Sequence, residues 1–363
     1  MRLQHLRFVC STIALLSACA SPSKSSPGEG PITTDLETSW KPTSGWNLGA
    51  IAAASTDEEG AVAYAESDTG SPHTVFKLQR LDGAGAVRGP AIELGAVDAR
   101  VRGRLTLATD GDVYLACWEH DEEKIACATA PVGEGPATAA LSVAGVGPSL
   151  AYGSGTFALA YTLPGQLAIT RVASNGSAVG NTATFDAAMN DDWTSRALLA
   201  ATKDGFLLAG GEHVRVHTLD SAFSPVEPPL DLDASLWAHA AIATSENDAV
   251  ISLSKPYGSL LFVVDDGAVT KSQELSGGSK EGLNAVVAGD GSSYAFLSAD
   301  LDDGLHYGTI VQGELTPSTQ TLESARGRYD AGSLALLRMH GEMFLVATPG
   351  FQSEVIVARV HRE

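Results

Sequence analysis

Leu105 to Cys127 reads LTLATDGDVYLACWEHDEEKIAC. A short apolar run, Leu105 to Ala108, stops at Asp110-Gly111. A second run, Val113 to Ala116, follows, then a polar loop, then a third at Ile125-Ala126-Cys127. Such runs are too short for stable helices, and an Asp-Gly pair between two of them is a hairpin signal. Residues 105–127 therefore predict three antiparallel strands. The same phrase recurs along the chain. Its first runs open near Ala50, Leu150, Ala197, Ala240, Ala285 and Leu334. Their turns are marked by Gly60, Gly155, Gly205, Asp248, Gly291 and Gly341.

With Gly111, these marks make seven units of about 47 residues each, a period typical of propeller repeats. After most third strands comes a more polar stretch, such as Gly89-Pro90-Ala91-Ile92-Glu93-Leu94, which suits an outer fourth strand. The last unit lacks one. Gly30-Pro31-Ile32-Thr33-Thr34-Asp35-Leu36 resembles the 89–94 stretch and precedes the first unit. The expected fold is thus an all-β, seven-bladed β-propeller of four-stranded antiparallel blades, with an N-terminal strand closing the last blade. Closure removes open sheet edges. Alanine-rich first strands fit crowding near a central axis. Six blades, eight blades, or two β-sandwiches are the alternatives. The chain shows no Trp-Asp dipeptide, kelch double glycine or Asp-box repeat that would place it in a named propeller family.

The first residues carry a different message. Arg2 and Arg7 precede an apolar run, Phe8 to Leu16, which is the layout of an export signal and too short to span a bilayer. Leu16-Ser17-Ala18-Cys19 resembles the bacterial lipobox. That resemblance implies a signal peptide over 1–18 and diacylglyceryl and palmitate-type acylation at Cys19. Each buried acyl methylene contributes ~0.8 kcal/mol to anchoring. Ala20 replaces the aspartate that commonly retains such lipoproteins at the inner membrane, so the resemblance points to the outer membrane. Residues 19–31 would be the lipidated cysteine and a Ser/Pro/Gly-rich tether. Residues 32–363 would be the propeller. In plan the chain resembles the propeller lipoprotein of outer-membrane barrel assembly, but it lacks that family's repeated docking motif, and no residue role carries over.

Cysteine usage agrees with export. Cys10 falls in the signal and Cys19 takes the lipid. Cys117 and Cys127 lie on two strands of one hairpin, and a turn centred near Glu122 sets them opposite each other. A cross-strand structural disulfide is expected in an oxidising compartment. Two cysteines alone do not make a zinc site.

Net charge is −20, and −22 once Arg2 and Arg7 are gone, since no acid leaves with them. Such a surface repels phosphate backbones, which argues against nucleic-acid partners. Function is expected where connections between strands two and three, and between successive blades, open on one face. Trp46, Trp193 and Trp237 fall just before first strands, Trp118 begins a two-to-three loop and Tyr257 sits in another. These aromatics could stack on sugars or anchor a peptide. Packing between blades is the competing reading. Arg104, Ser149, Arg196, His239, Asn284 and Ser333 recur where first strands begin and could ring a channel mouth.

Asp300-Leu301-Asp302-Asp303-Gly304 and Asn190-Asp191-Asp192 are acidic loops of the kind hard calcium uses, yet neither completes a calcium pattern, so no cofactor is expected, with calcium the alternative. His213 and His217 share a strand face but stand ~13 Å apart, too far for one metal. No complete catalytic motif is present. The reading leans to a non-catalytic envelope lipoprotein that binds a protein or polysaccharide partner. The alternative is a carbohydrate-active hydrolase or lyase using acids such as Glu119 or Asp121 beside Trp118.

Overall fold

The computed structural model describes residues 32–44, 46–99, 104–121, 123–187, 197–211, 213–235, 240–245, 248–255, 258–265, 267–276, 283–288, 293–300, 304–311, 314–321, 334–348 and 354–362. Cys19, Trp193, Arg196, Trp237, His239, Tyr257 and Ser333, and residues 190–192 and 301–303, lie outside them.

The chain is an all-β propeller with four-stranded antiparallel blades. Among the described residues the strands form seven four-stranded sheets. Sheets one to six follow chain order: β2 to β5 from Trp46 to Val97, β6 to β9 from Leu105 to Ala144, β10 to β13 from Val146 to Asp186, β14 to β17 from Leu198 to Ser235, β18 to β21 from Ala240 to Ser276, and β22 to β25 from Leu283 to Thr321. The seventh holds β26 (Leu334–Met339), β27 (Glu342–Ala347) and β28 (Val355–Arg362), with β1 (Ile32–Trp40) at its outer edge. β1 pairs antiparallel with β28 from Ile32↔Arg362 to Trp40↔Val355. Successive first strands lie side by side, and β26 returns to β2 (Trp46–Ser55), which closes the ring.

Burial explains why short apolar runs form strands here. A second strand is covered on both faces by its neighbouring sheets. Gly60 to Glu66 in β3 (Gly60–Asp68) and Gly205 to Gly210 in β15 (Gly205–Gly210) are buried without a break. Outer strands face water, as the exposed Ala178 to Thr182 of β13 (Ala178–Asp186) shows. Alternate side chains of one strand enter different seams, because successive residues point to opposite faces. Ala61, Ala63 and Ala65 pack toward the second sheet, whereas Val62 and Tyr64 pack toward the seventh.

Cys117 and Cys127 stand directly opposite on β7 (Val113–Asp121) and β8 (Lys124–Pro131), joined by a disulfide with Cα atoms 4.1 Å apart. Both pack into the seam toward the third sheet. Closing a loop this short contributes about 2–3 kcal/mol on chain-entropy grounds.

Candidate binding site at the axial mouth

Turn chemistry builds the site. Ser55 ends β2, and Thr56 folds the next turn, its Oγ1 accepting from the amides of Glu58 and Glu59 at 3.2 and 3.1 Å. In the second sheet, Thr109 Oγ1 donates to the Val113 carbonyl at 2.9 Å and accepts from Gly111 N at 3.1 Å. Gly111 has φ +97, which suits glycine. Asp110 Oδ1 accepts from the amides of Asp112 and Val113 at 2.9 and 2.8 Å, and its Oδ2 accepts from Ser174 Oγ of the third sheet at 2.5 Å. Burial pushes the Asp110 carboxyl up. The Ser174 hydroxyl and the turn amides more than offset that, so its pKa lies below the ordinary value.

The ring brings these turns to one axial mouth. A cavity of ≈ 400 Å³ is lined by Ser55, Thr56, Asp57, Thr109, Asp110, Gly111, Tyr152 and Arg338. Four sheets contribute. Ser55 Oγ donates to the Arg338 carbonyl at 2.8 Å and accepts from its amide at 3.3 Å, fastening the seventh sheet to the first. His340 N donates to the Asp57 carbonyl at 2.7 Å in the same joint. Tyr152 leans on Phe157 with ring centroids 5.0 Å apart and stays 37% exposed. A carboxylate, a guanidinium and a part-exposed aromatic ring around one small cavity can hold a polar molecule by hydrogen bonds while the ring covers its apolar side.

This mouth is at the end opposite the loop face expected from the sequence. At the loop end, Trp118 corrects its reading. It lies inside β7 rather than opening a loop, it is 3% exposed, and it stacks on Phe76 of the first sheet with centroids 4.8 Å and planes 22° apart. Gly95 makes room for it, since a Cβ there would meet the indole at 2.8 Å. Trp118 is a seam residue, not a ligand platform. Trp46 does stay part-exposed at that end, edge-on to His73 with centroids 5.8 Å apart.

Glu119 is likewise committed to a seam. Its Oε1 accepts from Gly147 N at 2.7 Å and its Oε2 from Arg104 N at 3.2 Å. Burial pushes its pKa up, against the pull of the Gly147 amide. A carboxylate occupied by two backbone amides ties sheet to sheet, which displaces the catalytic role considered for it. Nothing is described of the Asp121 side chain.

Ser149 is not a channel ligand either. Its Oγ accepts from Leu199 N of the fourth sheet at 3.0 Å, as Thr106 Oγ1 accepts from Leu150 N at 3.1 Å one seam earlier. Arg104 is part-exposed just before β6 (Leu105–Thr109), and Asn284 lies in β22 (Leu283–Ala288) opposite Ser298. His213 is exposed. His217 is buried against Phe185 at 5.0 Å, where burial and then the Arg215 charge push its pKa down. Among the described residues no three His, Cys, Asp or Glu side chains converge as a metal-holding group.

No protein-family model matches the chain, and no curated protein matches it. Solved structures do. The WD40 domain of Toxoplasma gondii coronin aligns with TM-score 0.55 at 11% identity, over 92% of this chain and 89% of that one. The β-propeller domain of the Trilobed protease from Pyrococcus furiosus, described as having an open velcro topology, aligns with TM-score 0.52 at 9% identity, over 88% and 95%. A putative 6-phosphogluconolactonase from Bacteroides uniformis aligns with TM-score 0.51 at 14% identity, over 82% and 94%. The likeness is one of fold: this chain is a β-propeller. At these identities it carries no function.

Proposed function

We propose that this chain is a lipid-anchored propeller of the bacterial cell envelope, of the outer membrane by its signal, that holds a protein or polysaccharide partner without transforming it. The finer reading of the ring is seven-bladed, supported by the seven sheets and by the return of β26 to β2. The observation that carries the binding role is an asymmetry between the two ends. The connections from one sheet to the next reach eleven and twelve residues at 187–197 and 322–333, and all of these links leave from one end. At the other end, turns between first and second strands run from two to four residues, and those between third and fourth strands from two to nine. Long connections on a rigid scaffold are where recognition residues concentrate. We assign the partner to the long-connection end, around Trp46 and the links whose sequence carries Trp193 and Trp237.

The test is retention from native envelope, alongside a glycan array. The bait is residues 20–363, compared with Trp193→Ala/Trp237→Ala and with Asp57→Ala/Arg338→Ala. Trp118 is left intact because it is core. The reading expects a protein or glycan held by the parent, lost at least tenfold by the tryptophan pair and kept by the mouth pair. Equal retention by all three baits, or turnover of a bound glycan by the parent, overturns it.

A further inference from the structure

Each blade is a meander. Its first strand ends, its second begins, its third ends and its fourth begins at the same end of the ring. β1 serves as the fourth strand of the seventh sheet, so where it begins is decided by topology. It begins at Ile32, paired with Arg362 at the close of β28. Ile32 therefore stands at the short-turn end, with the axial mouth. Two contacts across the closing seam agree. His340, in the first turn of the seventh sheet, bonds Asp57 in the first turn of the first. Arg359 Nη2 donates to the Ala84 carbonyl, in the third-to-fourth turn of the first sheet, at 3.3 Å.

We infer that the protein is held from its short-turn end, so that the axial mouth faces the membrane and the long-connection end faces away from it. This rests on the reading of Cys19 as the anchor. From Cys19 to Ile32 the chain reaches at most about 45 Å, whatever its conformation. The long-connection end lies one strand further out, about 26 Å for eight residues. A macromolecular partner meets that far end from the aqueous side.

The near end does not dock on lipid by charge. Asp57, Glu58, Asp82, Asp110, Asp112 and Glu134 sit in its turns. Carboxylates repel anionic headgroups within a Debye length of about 8 Å. The tether therefore holds the mouth across an aqueous gap of up to about 45 Å rather than against the lipid.

The experiment uses the full lipidated chain in vesicles of phosphatidylethanolamine and phosphatidylglycerol. Mass spectrometry of the N-terminal peptide comes first. An unmodified Cys19 overturns the anchor and the orientation together. With the anchor present, a fluorophore is placed on one introduced cysteine at a time, the Cys117–Cys127 disulfide leaving no native thiol in the folded domain. Glu58→Cys and Asp204→Cys mark the short-turn end; Asp98→Cys and Pro164→Cys mark the other. All four positions are exposed. A quencher on the lipid headgroup should quench the short-turn labels at least about twofold more, given the ~26 Å between ends. Equal quenching, which means free tumbling, or stronger quenching of the far labels with Cys19 acylated, overturns the orientation and leaves the anchor standing.

Discussion

The seams on either side of the second sheet are built from opposite materials. Toward the first sheet, Trp118 stacks on Phe76 over Gly95, among Leu78, Leu94, Val97 and Tyr114. Toward the third, the same strand sends Cys117 and Glu119. The disulfide is flanked by the Glu119 carboxylate, which accepts from the amides of Gly147 and Arg104, and by the Thr106 hydroxyl, which accepts from the Leu150 amide. One strand thus serves both designs through its two-residue alternation. The difference concerns tolerance. An apolar seam loses stability with the volume removed. A polar seam loses it when one partner leaves the other buried and unpaired.

The sharpest way to break the apolar seam is Trp118→Ala. The indole is 3% exposed and packs within the cluster of the first and second sheets. The expected loss is about 3–5 kcal/mol, as for other buried aromatic truncations. Trp118→Phe should recover more than half of it by keeping the stack on Phe76. Gly95→Ala, which drives a Cβ into the indole, should destabilise in the same seam. Urea unfolding of the three variants checks this. A Trp118→Ala loss under 1 kcal/mol would return the residue to the surface role first expected of it.

Glu119→Ala probes the polar seam at a smaller scale. It strands the amides of Gly147 and Arg104, at a cost of about 1–3 kcal/mol. Glu119→Gln should restore part of this, since its single carbonyl oxygen can still accept from one amide. The same variants speak to chemistry: with both oxygens engaged, neither should alter partner binding beyond what the stability change explains. A binding or turnover defect in a stably folded Glu119→Gln would reopen the catalytic reading.

The fold was more legible than the site for a physical reason. Strand positions follow from local signals: unbroken apolar runs where both faces are covered, and Gly or Asp where the chain must reverse. The closing strand was legible because Gly30–Leu36 repeats the outer-strand pattern of Gly89–Leu94, and β1 forms there. The disulfide followed from hairpin register alone. The site depends on which face a side chain takes and which turn meets which across the ring. Reading β7 as ending before Trp118 set the indole in a loop. The strand runs on to Asp121, and alternation then turns Trp118 into the seam. The mouth was hidden differently. Thr56, Thr109 and Asp110 are ordinary turn residues in sequence, and only ring closure brings Tyr152 and Arg338 beside them.

Asp110 offers the finest comparison, since it belongs to the mouth and to the polar seam at once. Its folded pKa lies below the ordinary 3.8, so the proton is bound more weakly in the fold than in the unfolded chain. The linked stability is therefore present above about pH 4 and lost as pH falls through the folded value. Asp110→Asn keeps an oxygen for the turn amides but carries no charge to lose. The parent's melting temperature should fall more steeply than the variant's between pH 4.5 and 3. The difference should stay below about 1 kcal/mol, because water reaches the part-exposed group. Glu119 is the internal control. Its pKa is raised, so acid relieves the cost of a buried charge in the same seam instead of adding one. Parallel pH profiles for parent and Asp110→Asn would mean that neither the Ser174 hydroxyl nor the turn amides favour the charged form. Divergent profiles that Ser174→Ala brings back together would mark the Ser174 bond as the charged stitch of an otherwise neutral joint at that end.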